Sequence, residues 1–519
     1  MTTCFSDRLD AIRSEGKKVL VVGLGATGVE TARFLTTRGI SVVCTEKQSE
    51  SVFLEKSRFS QHIPSLKEQR VQFCFGIDGE GIKPYLSGVS LAVLSPGVPL
   101  ESSIVSAISR AGISYVSELE LGILLHRGKS VVVTGSNGKT TTASLIHHTL
   151  SLSGVSSSLC KNEGMPLLAS IESNRGGESN ANSVLVVEAS SYQLEACTAL
   201  KPSISVILNI SENHLERHGS VERYAAAKAA VLRLQDKGDI TILNGDDIVV
   251  RRLSSFCRGE VVFFGTGEIP NKFQKWIEIS NPRSVNDDRS DTIVEQWPEP
   301  GVTEISRSIY SLKDCHLLGH HNRYNIAAAI AACRALDLTS EQISRGLSTF
   351  LPLEHRLQVL PLQGDTGVVV INDSKSTTVA ASRAAYLTVQ EHFKDRPIIL
   401  MVGGLSKAGS WEPLLAEITK NKHHVAPVIC FGKDASLIAD HCRARGIATL
   451  VCSNLKEGVI ASSIEATKVR GVILLSPGCA SFDEFIDFEH RGREFVRLVT
   501  ERLAERDIAT HVTAKGEAV

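Results

Sequence analysis

The chain has 519 residues, and at ~150 residues per domain this length predicts about three domains. Apolar residues make up 42% and charged residues 22%, as in ordinary globular proteins, and the formal net charge of -1 excludes a general electrostatic attraction to nucleic acid or anionic membranes. No apolar run reaches the ~18 residues that a membrane-spanning helix needs.

The N-terminal residues MTTCFSDRLDAIRSEGKK are polar and contain no apolar signal-peptide core, so we expect a cytoplasmic protein. The 12 cysteines are scattered from Cys4 to Cys479 without a C-x-x-C pair. This pattern favours buried thiols in a reducing compartment over a zinc site or a disulfide framework.

The first segment alternates strand and helix patterns, with strands predicted in KKVLVVGLGATG, ISVVCTEK and LAVLSPGVP. Gly23, Gly25 and Gly28 have G-x-G-x-x-G spacing, and Glu46 lies 18 residues beyond Gly28. By spacing this is a dinucleotide fingerprint, which would make the protein a nicotinamide-dependent dehydrogenase. The same turn also binds other pyrophosphates, or is purely structural.

The second segment opens with KSVVVTGSNGKTT, a strand followed by a glycine-rich turn and a helix. Gly135 and Gly138 let backbone N–H groups surround an anion at the helix N-terminus. Lys139 would then reach the phosphates of a nucleotide, and the Thr140 hydroxyl would ligate Mg²⁺. Val133 stands where the longer form of the motif has its first glycine, so this is the shorter G-x-x-G-K-T form. A turn without a ligand is the structural alternative.

Further strands are predicted along the second and third segments, in SVLVVEASS, PSISVILNIS, DITILNGDD, GVVVINDSKSTT, PIILMVGGLSK, APVICFGKD and GVILLSPGCAS. Each apolar run ends in small or polar residues. Because ligands of open α/β sheets bind at the carboxyl ends of the strands, the sequence predicts three α/β units around a shared cleft. Residues 267–300 are polar and lack a clear period, so we expect an insertion or long loop, partly packed through Trp276 and Trp297.

With these motifs placed, the chain resembles the Mur ligase family of bacterial cell-wall synthesis. The resemblance rests on TGSNGKTT, NISENHLERHGS, LGHHNRYNIAAA and LEHR, in that order, and spans nearly the whole chain. INDSKSTT and LLSPGCASFDEFIDFEHRG resemble the branch that adds D-glutamate to UDP-N-acetylmuramoyl-L-alanine. The resemblance implies a reaction through an acyl-phosphate intermediate that uses ATP and Mg²⁺. Its substrates would be D-glutamate and UDP-N-acetylmuramoyl-L-alanine.

The resemblance also implies an α/β fold of three domains. We expect a Rossmann-like UDP-substrate-binding domain at 1–119, a central P-loop ATPase-like domain with a mostly parallel sheet at 120–352, and a Rossmann-like amino-acid-binding domain at 353–519. We further expect a monomer without a nucleic-acid partner and without membrane insertion.

Site residues carry over by position in the matching blocks. The ATP-binding set is Gly135, Ser136, Asn137, Gly138, Lys139, Thr140, Thr141, Asn322, Asn325 and Arg356. The metal set is Thr140, Glu188, His214 and Lys228. The catalytic set is Lys139, Glu188, His214, Lys228, Arg356 and Asp373. By base rates alone, Asn322 and Asn325 could instead cap a helix.

Lys228 matches the lysine that the family carries as a carbamate. Only a neutral amine reacts with carbon dioxide, so the pocket around Lys228 must favour deprotonation. A solvated helix lysine is the structural alternative.

Substrate contacts are implied in three places. Those near the UDP group are Thr27, Glu46, Ser95 and Gly97, together with Pro96. Those near the sugar and the reacting carboxylate are Asn162, Gly164 and Ser190. In the third place, Lys375 and Thr377 lie near substrate, Lys407 pairs with a D-glutamate carboxylate, and Ser481, Phe482 and Phe488 complete that pocket. The chain departs from the family at Asn213 and Glu216, where aspartates are usual, at Glu46, which replaces an aspartate, and at Phe482, which replaces a leucine.

Four hypotheses remain at this point. The first is the D-glutamate-adding ligase. The second is another Mur-type or folylpolyglutamate-type amide ligase. The third is the dehydrogenase that uses GLGATG, and the fourth is a nucleotide-binding switch without catalysis.

Overall fold

The computed structural model describes residues 5–57, 59–161, 166–173, 182–211, 215–267, 275–280, 291–297, 307–362, 367–406, 410–420 and 426–516, with backbone alone at 170, 172–173, 215–216 and 505–516. The chain forms two compact units. The first comprises residues 1–315 and 323–350, and the second comprises residues 316–322 and 351–519. The first unit contains two β-sheets and the second unit contains one.

The first sheet has five parallel strands in the order β3-β2-β1-β4-β5. They are β1 (Lys18–Val22), β2 (Ser41–Glu46), β3 (Gln72–Phe75), β4 (Val89–Leu94) and β5 (Ser114–Ser117). The helices are α1 (Phe5–Ser14), α2 (Ala26–Thr36), α3 (Glu50–Lys56), α4 (Ile63–Glu68) and α5 (Ser103–Arg110), with 3₁₀ turns at Ser60–His62 and Gly79–Tyr85. Strand β1 is buried on both faces, since Val19 and Val21 enter one apolar core and Leu20 and Val22 enter another.

The second sheet has nine strands in the order β14-β13-β12-β11-β10-β9-β6-β8-β7. They are β6 (Lys129–Thr134), β7 (Ser157–Cys160), β8 (Val184–Glu188), β9 (Ile204–Ile207), β10 (Ile240–Asn244), β11 (Glu260–Gly265), β12 (Trp276–Ile279), β13 (Thr292–Gln296) and β14 (Arg307–Ser311). The β12–β13 and β13–β14 pairs are antiparallel, and the other pairs are parallel.

Helices of this part of the chain are α6 (Glu118–Leu125), α7 (Lys139–Leu152), α8 (Leu167–Ser173), α9 (Ser191–Glu195), α10 (Leu215–His218), α11 (Val221–Lys228), α12 (Ile248–Arg252), α13 (His320–Ala335) and α14 (Ser340–Thr349), with 3₁₀ turns at Ala229–Leu232 and Leu253–Phe256. Helix α7 begins directly after the phosphate loop. The left-handed conformation of Gly138 immediately before it explains why a glycine stands there.

The third sheet has six strands in the order β15-β16-β20-β17-β18-β19, all parallel except the short β15. They are β15 (Gln358–Val359), β16 (Val369–Asn372), β17 (Ile398–Gly403), β18 (Val428–Phe431), β19 (Thr449–Cys452) and β20 (Val472–Gly478). The helices are α15 (Val379–His392), α16 (Glu412–Lys420), α17 (Ala435–Arg443), α18 (Leu455–Val469) and α19 (Phe488–Gly516).

These three sheets confirm the predicted three-domain α/β fold with a mostly parallel central sheet. The predicted domain boundaries remain predictions. The predicted boundary between residues 119 and 120 falls inside helix α6. This helix begins at Glu118, directly after strand β5 ends at Ser117.

The prediction of an insertion or long loop at 267–300 was incomplete. Strands β12 and β13 lie in this segment and extend the second sheet. Trp276 and Trp297 are buried, as expected for a segment that packs in part. The strand signal was missed because WIEI and TIVEQ are short, and strands this short carry little periodicity.

The eleven cysteines in the described ranges are free thiols, and nine of them are buried, which confirms the expected role as small apolar side chains. Within those same ranges, no helix combines the length and the apolar character that crossing a lipid bilayer requires.

Candidate active site

The phosphate loop follows strand β6 of the second sheet. Strand β6 lies between β8 and β9, so the carboxyl ends of all three strands are neighbours. The loop from Gly135 to Gly138 leaves the end of β6, and helix α7 begins at Lys139. This is the strand–loop–helix arrangement that binds phosphates through backbone N–H groups and a helix N-terminus.

Gly138 lies in very close contact with Asn325. The φ of Gly138 is +87°, and a Cβ at this position would lie 2.1 Å from Oδ1 of Asn325. Asn325 is buried on helix α13. The structure therefore brings two predicted ATP-binding residues, one from the phosphate loop and one from α13, into direct contact. Asn322 on the same helix donates from its side-chain amide to the Leu318 carbonyl at 2.7 Å, so it does not act as a simple helix cap.

We expect Gly138→Ala to raise the KM for ATP by about tenfold or more, because a methyl group would displace Asn325 and strain the loop. Steady-state kinetics with varied ATP would measure the change. Gly154→Ala is the matched control, since Gly154 also has a positive φ but no atom lies within 4 Å of its Cβ position. Equal effects from the two variants would contradict the prediction.

The side chains of Asn209, two residues after β9, and of Tyr224 on α11 hold the loop in place. The Asn209 side chain accepts from the Asn137 N–H at 2.8 Å and donates to the Asn137 carbonyl at 3.1 Å. The Ser136 hydroxyl lies 3.3 Å from the Tyr224 hydroxyl, and the Lys139 amine donates to the Gly135 carbonyl at 2.9 Å. Asn209 was not predicted, although a polar residue directly after strand β9 carries the same signal as the residues that were.

Lys228 is 1% exposed and lies under the phosphate loop. Its amine donates to the Gly135 carbonyl at 2.9 Å and lies 4.5 Å from the centre of the Tyr224 ring. Burial, followed by repulsion from Lys139, lowers the pKa of Lys228 to about 7. The solvated-lysine alternative is therefore wrong, and the environment favours the neutral amine that a carbamate requires.

Glu188 ends strand β8 beside the start of the phosphate loop. Its strand partner is Val133, and the Thr134 hydroxyl donates to the Ala189 carbonyl at 2.9 Å. The Glu188 side chain is 7% exposed. Ser190, two residues further on, caps helix α9 in a capping box with Gln193, which accounts for the serine structurally.

The donor set at this place fits Mg²⁺ chemically. Glu188 supplies a carboxylate and Thr140 a hydroxyl, the hard oxygen ligands that Mg²⁺ takes together with phosphate oxygens. The described residues contain no group of three or more His, Cys, Asp or Glu side chains that could hold a metal by themselves.

A cavity of about 650 Å³ lies at the carboxyl edge of the first sheet. The predicted residues Thr27, Glu46, Ser95, Pro96 and Gly97 all line it. The Glu46 carboxylate accepts from the Leu24 N–H at 3.1 Å, so it is held at the mouth of the GLGATG turn.

The GLGATG turn, which lines this cavity, depends on a close approach between Gly23 and Gly28. A Cβ at Gly28 would lie 1.8 Å from the Gly23 carbonyl oxygen, and the Ser95 hydroxyl donates to the same oxygen at 3.0 Å. The cavity also includes Gln193 of helix α9, which was not predicted.

In the second unit, the predicted residues follow three adjacent parallel strands, β16, β20 and β17. Asp373, directly after β16, is buried and accepts from the hydroxyls of Ser376 at 2.5 Å and Ser476 at 2.8 Å. Burial raises the pKa of Asp373 to about 6, against the opposing effect of these hydrogen bonds and of Arg356. The N–H of Leu357, the residue after Arg356, also donates to the Asp373 carboxylate at 3.2 Å.

The predicted D-glutamate residues occupy the neighbouring loops. The Lys375 amine lies 3.9 Å from the centre of the Phe488 ring, so these two side chains meet. Ser481 is buried at 2% exposure, whereas the Phe482 side chain is 70% exposed. Thr377 is half-buried in the loop that follows β16.

Arg491 joins these loops and was not predicted. It is fully buried, and its guanidinium donates to the Ser374 hydroxyl at 3.0 Å, the Ser374 carbonyl at 2.9 Å and the Cys479 carbonyl at 3.1 Å. Burial lowers the pKa of Arg491 to about 10. No sequence signal distinguishes it from the other charged residues of EHRGREF.

Four predicted site residues lie outside the described residues: Asn162, Gly164, His214 and Lys407. Their roles remain predictions.

Comparisons with known proteins agree with this arrangement. The family described as "Mur ligase MurD-like, N-terminal domain" matches residues 17–117, and "Mur ligase middle domain" matches residues 133–333. The chain is 31% identical over 482 residues to a UDP-N-acetylmuramoylalanine--D-glutamate ligase of Clostridioides difficile, covering 93% of this chain and 98% of the relative.

A ligase of the same name from Acidobacterium capsulatum is 33% identical over 505 residues, covering 97% and 99% of the two chains. Among solved structures, the MurF ligase of Thermotoga maritima in complex with ADP superposes with a TM-score of 0.54 at 17% identity, covering 90% of this chain and 96% of that one. At that identity, the superposition supports the fold alone.

The chain therefore belongs to the Mur ligase family, which confirms the resemblance drawn from the motifs. Membership of this family excludes the hypothesis that GLGATG belongs to a nicotinamide-dependent dehydrogenase. Within the family, both of these full-length relatives are named as ligases that join UDP-N-acetylmuramoylalanine and D-glutamate.

Proposed function

We propose that the protein adds D-glutamate to UDP-N-acetylmuramoyl-L-alanine, using ATP and an acyl-phosphate intermediate, in the cytoplasm. The observation that carries the proposal is the relationship to ligases of this name along 93% and 97% of the chain. The phosphate loop supports the proposal, because its backbone N–H groups and Lys139 suit transfer of a phosphoryl group. The buried Lys228 lies next to this loop and supports the same chemistry.

The chemistry begins with a carboxylate, which is a poor acylating agent because oxide is a poor leaving group. A carboxylate oxygen of UDP-N-acetylmuramoyl-L-alanine attacks the γ-phosphorus of ATP, the bond to the β-phosphate oxygen breaks, and ADP leaves. The amine of D-glutamate then attacks the acyl carbon, loses a proton, and phosphate leaves. The reactants are all anions, so the site must supply positive groups and N–H donors.

The first unit would hold the nucleotide and the UDP-substrate. The loop from Gly135 to Gly138 offers backbone N–H groups, and the Lys139 amine sits above the loop, within reach of a phosphate bound there. Asn325 would contact the adenine, because an amide offers both a donor and an acceptor. The cavity around Glu46 and Ser95 would take the UDP group.

Mg²⁺, held by Glu188 and Thr140 with His214 for a second ion, would neutralise charge on the phosphates. A carbamate on Lys228 would turn this buried cation into an anion that orients the metal or the substrate. The low pKa of Lys228 supports this modification, since the neutral amine is its reactive form.

The second unit would bind the amino acid. Lys375 and Lys407 would pair with carboxylates of D-glutamate, and Phe488 would support Lys375 from one side. Arg356 offers a fork of donors that suits a transferring phosphoryl group. Asp373, poised with a pKa of about 6 and held by two serine hydroxyls, would act near the nucleotide or its metal.

A panel of candidate amines tests the proposal. We expect phosphate release in the presence of ATP, Mg²⁺ and UDP-N-acetylmuramoyl-L-alanine only when D-glutamate is added, with the UDP-dipeptide detected by mass spectrometry. L-glutamate, L-alanine, a diamino acid and a folate with glutamate serve as comparisons. Phosphate release with one of these instead of D-glutamate would assign another amide ligase, and ATP hydrolysis without ligation would indicate a nucleotide-dependent switch.

A further inference from the structure

Two buried glutamates lie on helix α6, where the chain passes from the first sheet to the second. Glu118 and Glu120 are 3% and 0% exposed. They bind different segments. Glu118 accepts from the Leu168 N–H at the start of α8, and Glu120 accepts from the residues that follow α9. Glu120 interrupts the otherwise apolar run LELGILL. Burying its carboxylate is costly unless hydrogen bonds compensate for the lost hydration.

Glu120 anchors the end of α9 through one oxygen. Its Oε1 accepts from the Thr198 N–H at 2.9 Å and from the Ala199 N–H in a still shorter contact. Its Oε2 is buried and has no hydrogen-bond partner among the described residues. A second connection supports this one, since the Ser117 hydroxyl lies 3.1 Å from the Cys197 sulfur. Helix α6 therefore holds Cys197, Thr198 and Ala199 as one short segment.

Helix α9 itself cannot fix its own position. It has only five residues, fewer than the ~12 that an isolated helix needs to be even marginally stable. Its start follows Glu188 through the Ser190 capping box, and its Ser191 hydroxyl lies 3.0 Å from the His218 ring. The packing of Leu194 in the apolar core and the contacts at the two ends therefore decide together where the helix lies.

The same helix presents groups toward the site. Gln193 lines the cavity of the first sheet together with Ser95 and Gly97, and Glu188 ends the strand just before α9. Its other end is tied down by Glu120. A displacement of α9 would therefore move the part of the cavity wall that Gln193 forms.

We propose that Glu120 is a positioning residue, which fixes the segment after α9 so that Gln193 is aligned with the UDP-substrate. The inference rests on the proposed function for its substrate, and on the described contacts for its geometry. Glu120 does not touch the reacting atoms. It acts through the two backbone N–H groups that it accepts.

The test compares Glu120→Leu, Glu120→Asp and Glu120→Gln with the matched control Glu295→Leu. Glu295 is a buried glutamate on strand β13 of the second sheet, and it pairs with Arg334 at 2.7 Å. Three kinds of measurement are made. The first two are the kcat and KM for each substrate, and the hydrogen exchange of the backbone amides from 190 to 199. Binding of UDP alone is measured by calorimetry, because it needs no catalysis.

We expect Glu120→Leu to lower kcat/KM for the UDP-substrate by about tenfold or more, while the KM for ATP changes by less than about twofold. Amides 190–199 should exchange faster, and the affinity for UDP should fall. Glu120→Gln should recover most of the activity, because its amide oxygen replaces Oε1 as the acceptor. Glu295→Leu should lower the melting temperature without changing either KM.

If Glu120→Leu does not fold, Glu120→Asp decides, since it keeps the acid and withdraws the acceptor by one methylene. Wild-type KM and wild-type exchange in Glu120→Asp would overturn the proposal. So would a kinetic change in Glu295→Leu equal to that in Glu120→Leu. If the wild-type protein fails to ligate D-glutamate, the proposed function is wrong. Unchanged hydrogen exchange and unchanged UDP binding in the Glu120 variants would contradict the positioning role independently of that result.

Discussion

Replacing Lys228 by alanine is expected to lower kcat by about 10²-fold or more, and short carboxylic acids such as formate or acetate are expected to restore part of it. The lysine lies buried beneath the phosphate loop with its amine on the Gly135 carbonyl. If it works as a carbamate, its contribution is a carboxylate on a long arm, and a small acid can occupy the space that the side chain leaves. Initial rates over a range of acid concentrations would measure the rescue.

Lys237→Ala is the matched control, because Lys237 is an exposed lysine in the turn before strand β10. It should show neither the loss nor the rescue. Absence of rescue in Lys228→Ala, with folding intact by circular dichroism, would count against the carbamate. Intact mass spectrometry under gentle conditions, with ¹³C-labelled bicarbonate, offers a second measurement on the wild-type protein.

The pKa of Lys228 gives this prediction a pH dependence. Its folded value of about 7 lies below the ordinary value of 10.5, so the unmodified protein gains stability as pH rises from about 7 to about 10.5 and shows no dependence from this group below 7. The neutral amine also becomes scarce below pH 7. We therefore expect reactivation of carbon-dioxide-depleted protein by bicarbonate to slow as pH falls below about 7.

The second large effect is expected at Arg491. In Arg491→Leu, the carbonyls of Ser374 and Cys479 lose a buried donor, and we expect a loss of about 3 kcal/mol in the free energy of unfolding. The loops that follow β16 and β20 carry Lys375 and Ser481. Because Arg491 is what joins them, the KM for D-glutamate should rise by about tenfold.

Arg497→Leu is the control on the same helix, since Arg497 is exposed and its ion pairs among the described residues are with the neighbouring Glu494 and Glu501. It should change the free energy of unfolding by less than about 1 kcal/mol. Chemical denaturation and kinetics with varied D-glutamate separate the two effects. A wild-type KM for D-glutamate in a folded Arg491→Leu variant would contradict the role given to this arginine.

Strands with long apolar runs were predictable from the sequence, and so were the residues that end them. The runs before Gly23, Gly135, Ala189 and Asp373 are buried on both faces, so each strand reads as continuous hydrophobic sequence and stops where polar residues begin. Position at a strand end then sufficed to find the phosphate loop, Glu188 and Asp373. The resemblance to a family supplied their roles.

Residues that act through other residues were not predictable. Arg491, Glu120 and Tyr224 lie on helices, and their partners come from segments far away in the chain. A sequence pattern reports the burial of a helix face, but it does not report which loop that face meets. The burial of Lys228 was likewise not predictable from the sequence. A lysine in YAAAKAAVL is equally compatible with a solvent-exposed helix, and only the positions of Tyr224 and the phosphate loop show that it is buried.

The antiparallel end of the second sheet has a practical consequence. Strands β13 and β14 add to the sheet beyond β12, five strand positions or more away from β6. Asp291, just before β13, pairs with Arg323 of helix α13 at 2.9 Å, and Glu295 of β13 pairs with Arg334 of the same helix at 2.7 Å. Because α13 also carries Asn325, which contacts the phosphate loop, fluorophores and affinity handles are better placed away from this hairpin.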